Sequence, residues 1–111
     1  MSYLWAITPE KVQTAIQKII EISNPRKVIL FGSYVRGKIH SNSDLDVLVV
    51  TGDEIENPRK ESVRIRRALR GIVMSIDIIV VQEREFEELA GMPGLIYKEA
   101  IRTGKVVYES S

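Results

Sequence analysis

Two aspartates separated by one residue stand where a strand is predicted to begin. Asp44 and Asp46 flank Leu45, and an apolar run follows over residues 47–50. Side chains alternate between the faces of a strand, so residues i and i+2 share a face with α-carbons about 6.5–7 Å apart. Two carboxylates placed in this way can bind one hard cation, which prefers oxygen ligands. The alternative is that Asp44 caps a turn and Asp46 is solvated at a strand end, and the pair alone leaves both interpretations open.

A third aspartate, Asp77, is the only charged residue in the predicted strand over residues 75–81. A buried carboxylate without a partner is costly, and clustered carboxylates repel one another unless a cation or a proton neutralises them. This position therefore favours a metal site built from three carboxylates. The alternative is an edge strand or a neighbouring arginine, either of which would accommodate Asp77 without a metal.

A glycine–serine pair, Gly32 and Ser33, follows the predicted strand over residues 27–31. Glycine allows the backbone to approach a phosphate, and the amides and the hydroxyl at the start of a following short helix can donate to it. Such a turn is more often a simple cap, but its place before the aspartate pair favours phosphate binding. Residues 32–38 also match most of a Walker A loop, but Ile39 stands where Ser or Thr would bind magnesium, so a P-loop is rejected.

These residues together resemble the signature of the minimal nucleotidyltransferases of the polymerase-beta superfamily. The signature consists of Gly32-Ser33, Arg36-Gly37, Ser43-Asp44-Leu45-Asp46 and the later Asp77. The resemblance extends over most of the chain. It departs from the family pattern at Val35, where the family usually has a small residue, commonly alanine.

The resemblance implies a role for each matched residue. Gly32 and Ser33 would hold the phosphates of the nucleotide, and Asp44 and Asp46 would ligate Mg²⁺. Asp77 would complete the metal site and help to deprotonate the acceptor hydroxyl. Two further residues, Arg36 and Ser43, would join the nucleotide-binding set, where Arg36 either meets a phosphate or fixes the loop through Ser43-Asp44.

The implied reaction is the transfer of a nucleoside monophosphate, AMP from ATP, to a hydroxyl acceptor with two Mg²⁺ ions and release of pyrophosphate. Minimal members of the family are similar to the antitoxins of toxin–antitoxin pairs, which implies a helical HEPN-type partner whose tyrosine receives the AMP. The alternative is a non-catalytic antitoxin that neutralises a helical partner by binding alone. The presence of all three aspartates, Asp44, Asp46 and Asp77, favours the enzyme.

Strand and helix signals alternate along the chain, which predicts an α/β (α+β) fold with a mixed sheet flanked by helices. Apolar residues at helical spacing, Pro after a capping residue and Gly stop signals predict the helices. The predicted strands cover residues 27–31, 45–50, 75–81 and 105–109, and the predicted helices cover residues 9–22, 57–70, 83–90 and 94–103.

Composition narrows the possible classes of protein. The 111 residues predict a single domain over residues 1–111, and 44% hydrophobic with 28% charged residues is too apolar for a disordered chain. The absence of cysteine excludes disulfides and thiolate zinc sites. No apolar run approaches the length of about 18 residues that a membrane span needs, and no signal peptide is visible, so we expect a cytoplasmic protein without membrane contact.

The charge pattern is balanced overall and uneven locally. A formal net charge of +1 does not favour nucleic-acid binding. The helix over residues 58–70 carries six basic residues and one glutamate, which favours a solvated face over a docking surface for an acidic partner or nucleic acid. An acidic stretch over residues 83–88 complements it, so a homodimer is a further expectation.

Overall fold

The structure is a computed structural model that describes residues 6–32, 34–35, 37, 44–90 and 103–110. Seven elements follow one another along these residues. They are α1 (Pro9–Ser23), β1 (Lys27–Phe31), β2 (Leu45–Thr51), α2 (Pro58–Ala68), β3 (Ile76–Gln82), α3 (Glu83–Ala90) and β4 (Lys105–Glu109). The predicted helix over residues 94–103 lies outside the described residues except for Thr103. The described residues of the loop after β1 form a turn, in which the Gly37 amide donates to the Tyr34 carbonyl at 3.2 Å.

The four strands form one mixed sheet in the order β3-β2-β1-β4. β2 and β3 are parallel and are joined by α2, whereas β1 is antiparallel to both β2 and β4. The apolar run of β2 is buried on both faces, as expected of a strand between two neighbours. The predicted mixed α+β sheet with flanking helices is confirmed.

Alternation along the strands divides the core between the two faces of the sheet. On one face, Val47 and Val49 pack with apolar residues of α1 and α2. On the other face, Leu48 and Val50 pack with Phe31 and with Phe86 of α3. Because Asp46 has the parity of Leu48 along β2, its side chain belongs to the face that carries Phe31.

Both long helices begin as the sequence predicts. The side chain of Thr8 accepts from the Lys11 amide at 3.2 Å, and the side chain of Asn57 accepts from the Lys60 amide at 3.1 Å. Each of these N-caps is followed by a proline at the start of its helix. An N-cap oxygen satisfies an amide that the first turn leaves without a partner, which fixes where α1 and α2 start.

The single glutamate of α2 joins the two long helices. Glu61 is buried, accepts from the Ser23 hydroxyl at 2.6 Å and accepts from Nε of Arg64 at 3.0 Å. Arg64 also donates to the Ile22 carbonyl at 2.6 Å, so α2 is tied to the end of α1. The hydrogen bond from Arg64 holds the pKa of Glu61 below its usual value, with help from Ser23 and against the effect of burial.

All five basic residues of α2 are exposed, which fits a solvated face and a docking surface equally, so the choice between these two interpretations stays a prediction. No helix among the described residues is long and apolar enough to cross a membrane.

Candidate active site

Three strands bring the predicted site together at one end of the sheet. β1 ends there and β2 and β3 begin there, with Phe31 opposite Asp46 and Asp46 beside Asp77 in the strand register. Neighbouring strands lie about 4.8 Å apart, and paired residues share a face. Asp46 and Asp77 are therefore neighbours on one face, and Asp44 stands two residues before Asp46 at the edge of the same site.

Gly32 and Asp46 lie so close together that a side chain at position 32 would displace the Asp46 carboxylate. Gly32 has φ +82°, a left-handed conformation that side chains disfavour. A Cβ atom on Gly32 would overlap Oδ2 of Asp46 and would lie 3.1 Å from its Cγ. The turn after β1 therefore packs its backbone directly against the Asp46 carboxylate. This contact places the predicted phosphate-binding turn next to the predicted metal ligand.

Asp44 is exposed and accepts a hydrogen bond from the hydroxyl of Ser75. The backbone strengthens this link, because the Leu45 amide donates to the Ser75 carbonyl at 2.9 Å. Ser75 was not among the predicted site residues. The spacing of Ser75 could have indicated its position, since Ser75 precedes Asp77 by two residues just as Asp44 precedes Asp46.

Asp77 lies beside Asp46 in the strand register, but its side chain is not buried as the sequence suggested. β3 is an edge strand of the described sheet, and the Asp77 side chain is 52% exposed. Its Oδ1 accepts from Nη2 of Arg66 at 3.2 Å. The inference from a costly buried carboxylate is therefore wrong, because both alternatives, an edge strand and an arginine partner, are present together. The register that places Asp77 beside Asp46 is independent of that inference.

The chemistry of the donor set fits a magnesium ion. Asp44, Asp46 and Asp77 supply carboxylate oxygens only, at a solvent-accessible end of the sheet, and hard divalent cations prefer such ligands. Within the described part of the chain, no three acidic or histidine side chains are close enough together to coordinate one ion. Asp44 accepts from Ser75 and Asp77 accepts from Arg66, so these side chains would have to rearrange before one cation could bind all three aspartates.

Three predicted nucleotide-binding residues, Ser33, Arg36 and Ser43, lie outside the described residues. Gly32 is the member of that set that the structure places, at the end of β1 and against Asp46.

Comparison with known proteins identifies one protein family. The profile of the family described as polymerase beta, nucleotidyltransferase, matches residues 13–111. No curated protein matches the chain.

Solved structures share the fold at low sequence identity. One is a protein assigned as a nucleotidyltransferase from Sulfolobus solfataricus, with a TM-score of 0.61, 20% identity, and coverage of 90% of this chain and 78% of that one. A toxin–antitoxin structure with AMP-PNP has a TM-score of 0.57 and 22% identity over 88% and 73% of the two chains. A mutant of the toxin–antitoxin MntA–HpeT has a TM-score of 0.55 and 19% identity over 94% and 75%.

Proposed function

The chain belongs to the polymerase beta nucleotidyltransferase family, and from this premise we propose that it transfers AMP from ATP to a hydroxyl group in a reaction that requires Mg²⁺. The observation that carries the proposal is the packing of Gly32 against Asp46 beside Asp77. A glycine turn that holds phosphates and carboxylates that hold a metal should be adjacent in such an enzyme, since the phosphates and the carboxylates would share the cation. The resemblance of the fold to a toxin–antitoxin structure with AMP-PNP supports ATP as the nucleotide.

In the proposed reaction, Asp44 and Asp46 would hold a Mg²⁺ ion, and Asp77 would complete the site. Bound Mg²⁺ would neutralise the charge that develops on the phosphates. The backbone at Gly32, with Ser33, Arg36 and Ser43, orients the triphosphate. Asp77 accepts the proton of the acceptor hydroxyl while the hydroxyl oxygen forms a bond to the α-phosphorus. The bond between the α-phosphorus and the bridging oxygen breaks, and pyrophosphate leaves.

We further propose that the acceptor is a tyrosine on a helical HEPN-type partner protein. Two observations support a protein acceptor: Asp44 and Asp77 are exposed at the end of the sheet where β2 and β3 begin, and the structural neighbours include toxin–antitoxin proteins. A partner that docks at this end can bring its own hydroxyl to Asp77.

The decisive experiment compares thermal stability with Mg²⁺ alone, ATP alone and both together. A ligand that binds only the folded protein stabilises it by about 2.7 kcal/mol at a hundredfold excess over its dissociation constant. We expect a shift with the pair that neither component gives alone. Asp46→Asn should remove this shift, because it removes a charge from the metal site.

The matched control is Asp53→Asn, which makes the same chemical change in the loop after β2, at the opposite end of the sheet. It should retain the shift.

Transfer of labelled AMP to a co-purified partner distinguishes the enzyme from the non-catalytic antitoxin. A partner that binds tightly but is never labelled would refute the transfer reaction. A chain that shows no shift with Mg²⁺ and any nucleoside triphosphate would refute nucleotide binding itself.

A further inference from the structure

We propose that Arg66 is a positioning residue that holds Asp77 at the edge of the sheet and competes with the divalent cation for its carboxylate. This inference deepens the proposed function and rests on it. Arg66 lies outside the motif that identifies the family, and it reaches the site from a helix on the other side of the sheet.

The route that Arg66 takes is set by the edge strand. α2 packs on the face of the sheet that carries Ile78, whereas Asp77 alternates to the opposite face. The guanidinium of Arg66 passes around β3, where Nη2 contacts Oδ1 of Asp77 at 3.2 Å and the Ile78 carbonyl at 3.4 Å. No further strand covers this edge in the described sheet, so the arginine has room to make both contacts.

The ion pair of a second arginine on the same helix provides a comparison for the strength of the contact between Arg66 and Asp77. Arg64 makes two hydrogen bonds to Glu61, at 3.0 Å each, and the Glu61 side chain is only 7% exposed. Arg66 makes one contact to Asp77, and the two side chains are 53% and 52% exposed. Exposed ion pairs contribute little to stability because water screens them and two side chains must be ordered. The Arg66 pair can therefore be exchanged, whereas the Arg64 pair is structural.

A divalent cation has the advantage in such an exchange. It carries twice the charge of a guanidinium and prefers the oxygen ligands that Asp46 and Asp77 provide together. Without a cation, Arg66 offsets the negative charge of Asp77 beside Asp46. When a cation enters, the same positive charge opposes it, and Asp77 must turn from the sheet edge towards Asp46.

The test is a titration with Mn²⁺, followed by the loss of the free-ion signal in electron paramagnetic resonance. Arg66→Gln removes the charge and keeps a side chain of similar shape. We expect it to bind Mn²⁺ about fivefold more tightly than the wild type, the factor that corresponds to the upper range for an exposed ion pair. Arg66→Lys keeps the charge and should remain close to the wild type.

The matched control is Arg59→Gln, which removes the same charge about 10 Å away along α2, two turns before Arg66. It should leave Mn²⁺ affinity unchanged. The same substitutions in an Asp77→Asn background test whether the effect passes through Asp77, since Arg66→Gln should then have no further effect.

Each outcome is informative. An equal gain in Arg66→Gln and Arg59→Gln, or a gain that persists without the Asp77 charge, would assign the effect to general electrostatics and overturn the positioning role. An unchanged or weaker affinity in Arg66→Gln would overturn it directly while leaving the metal site intact. If the wild type itself binds no Mn²⁺, the metal site of the proposed function fails first, and this inference fails with it.

Discussion

Substitution of Gly32 by alanine tests the closest contact in the site. The backbone at φ +82° places an L-residue in the left-handed region, which costs about 1–2 kcal/mol. The new Cβ would also overlap Oδ2 of Asp46, and because a carboxylate end can turn aside, this overlap should cost about 1 kcal/mol, the lower end of the range for overpacking. We therefore expect Gly32→Ala to lower the free energy of unfolding by about 2–3 kcal/mol.

Gly37→Ala is the matched control, because Gly37 has φ +73° and a Cβ there would meet nothing within 4 Å. It should lose only the backbone cost of about 1–2 kcal/mol. Both free energies come from urea denaturation, and the difference between them isolates the contact with Asp46. In Gly32→Ala, the displaced carboxylate should also weaken the stabilisation by Mg²⁺ and ATP.

The double variant Gly32→Ala, Asp46→Ala completes the measurement. Removing the carboxylate relieves the overlap, so the double variant should lose less stability than the sum of the two single changes. Equal losses in Gly32→Ala and Gly37→Ala, with strictly additive behaviour in the double variant, would show that the turn and Asp46 are not packed as described.

Two further predictions concern the elements that support the site. Glu61→Gln should cost about 1.5–3 kcal/mol at neutral pH, because it weakens a charge-assisted hydrogen bond with Arg64. Because the pKa of Glu61 is lowered in the folded protein, its contribution to stability is present above pH 4.5 and is lost as the pH falls through the folded-state pKa. The free energies of unfolding of wild type and variant should therefore converge in acid. A constant difference between them from pH 7 to pH 3 would contradict this. Thr8→Ala should cost about 1 kcal/mol in urea denaturation by removing the cap on the Lys11 amide, while Thr8→Ser should retain most of it; equal losses would exclude the cap as the cause.

The helices and strands were predictable from the sequence because the capping and hydrophobic patterns along the chain agree with the packing of the folded protein. The capping residues Thr8 and Asn57, each followed by proline, set the helix starts within a residue. The apolar run over residues 47–50 belongs to a strand that is buried on both faces and lies between β1 and β3. Strand order and direction were not predicted, because they depend on how α2 crosses between β2 and β3 rather than on any local pattern.

Candidate positions could be proposed from the sequence, whereas the interactions at those positions could not. Spacing pointed to Gly32 and Asp46, and its place as the only charge in an apolar strand pointed to Asp77. The strand register brings the strands that carry them together, and their functional roles stay predictions. The environment of Asp77 could not be read from its apolar neighbours, since an edge strand and a central strand can have the same sequence pattern. Arg66 and Ser75 were missed because their contacts join residues 11 and 31 positions apart along the chain.

The loop over residues 52–57 lies at the opposite end of β2 from the aspartates. The first and last of the seven residues of β2 are six steps of about 3.3 Å apart, so about 20 Å separates the two ends. Changes at one end therefore leave the geometry of the other end largely untouched. Over evolutionary time, a chain built in this way can acquire insertions or a new contact surface in this loop while the residues proposed for the chemistry stay under separate selection. The same separation makes the loop a suitable point for the insertion of a peptide tag.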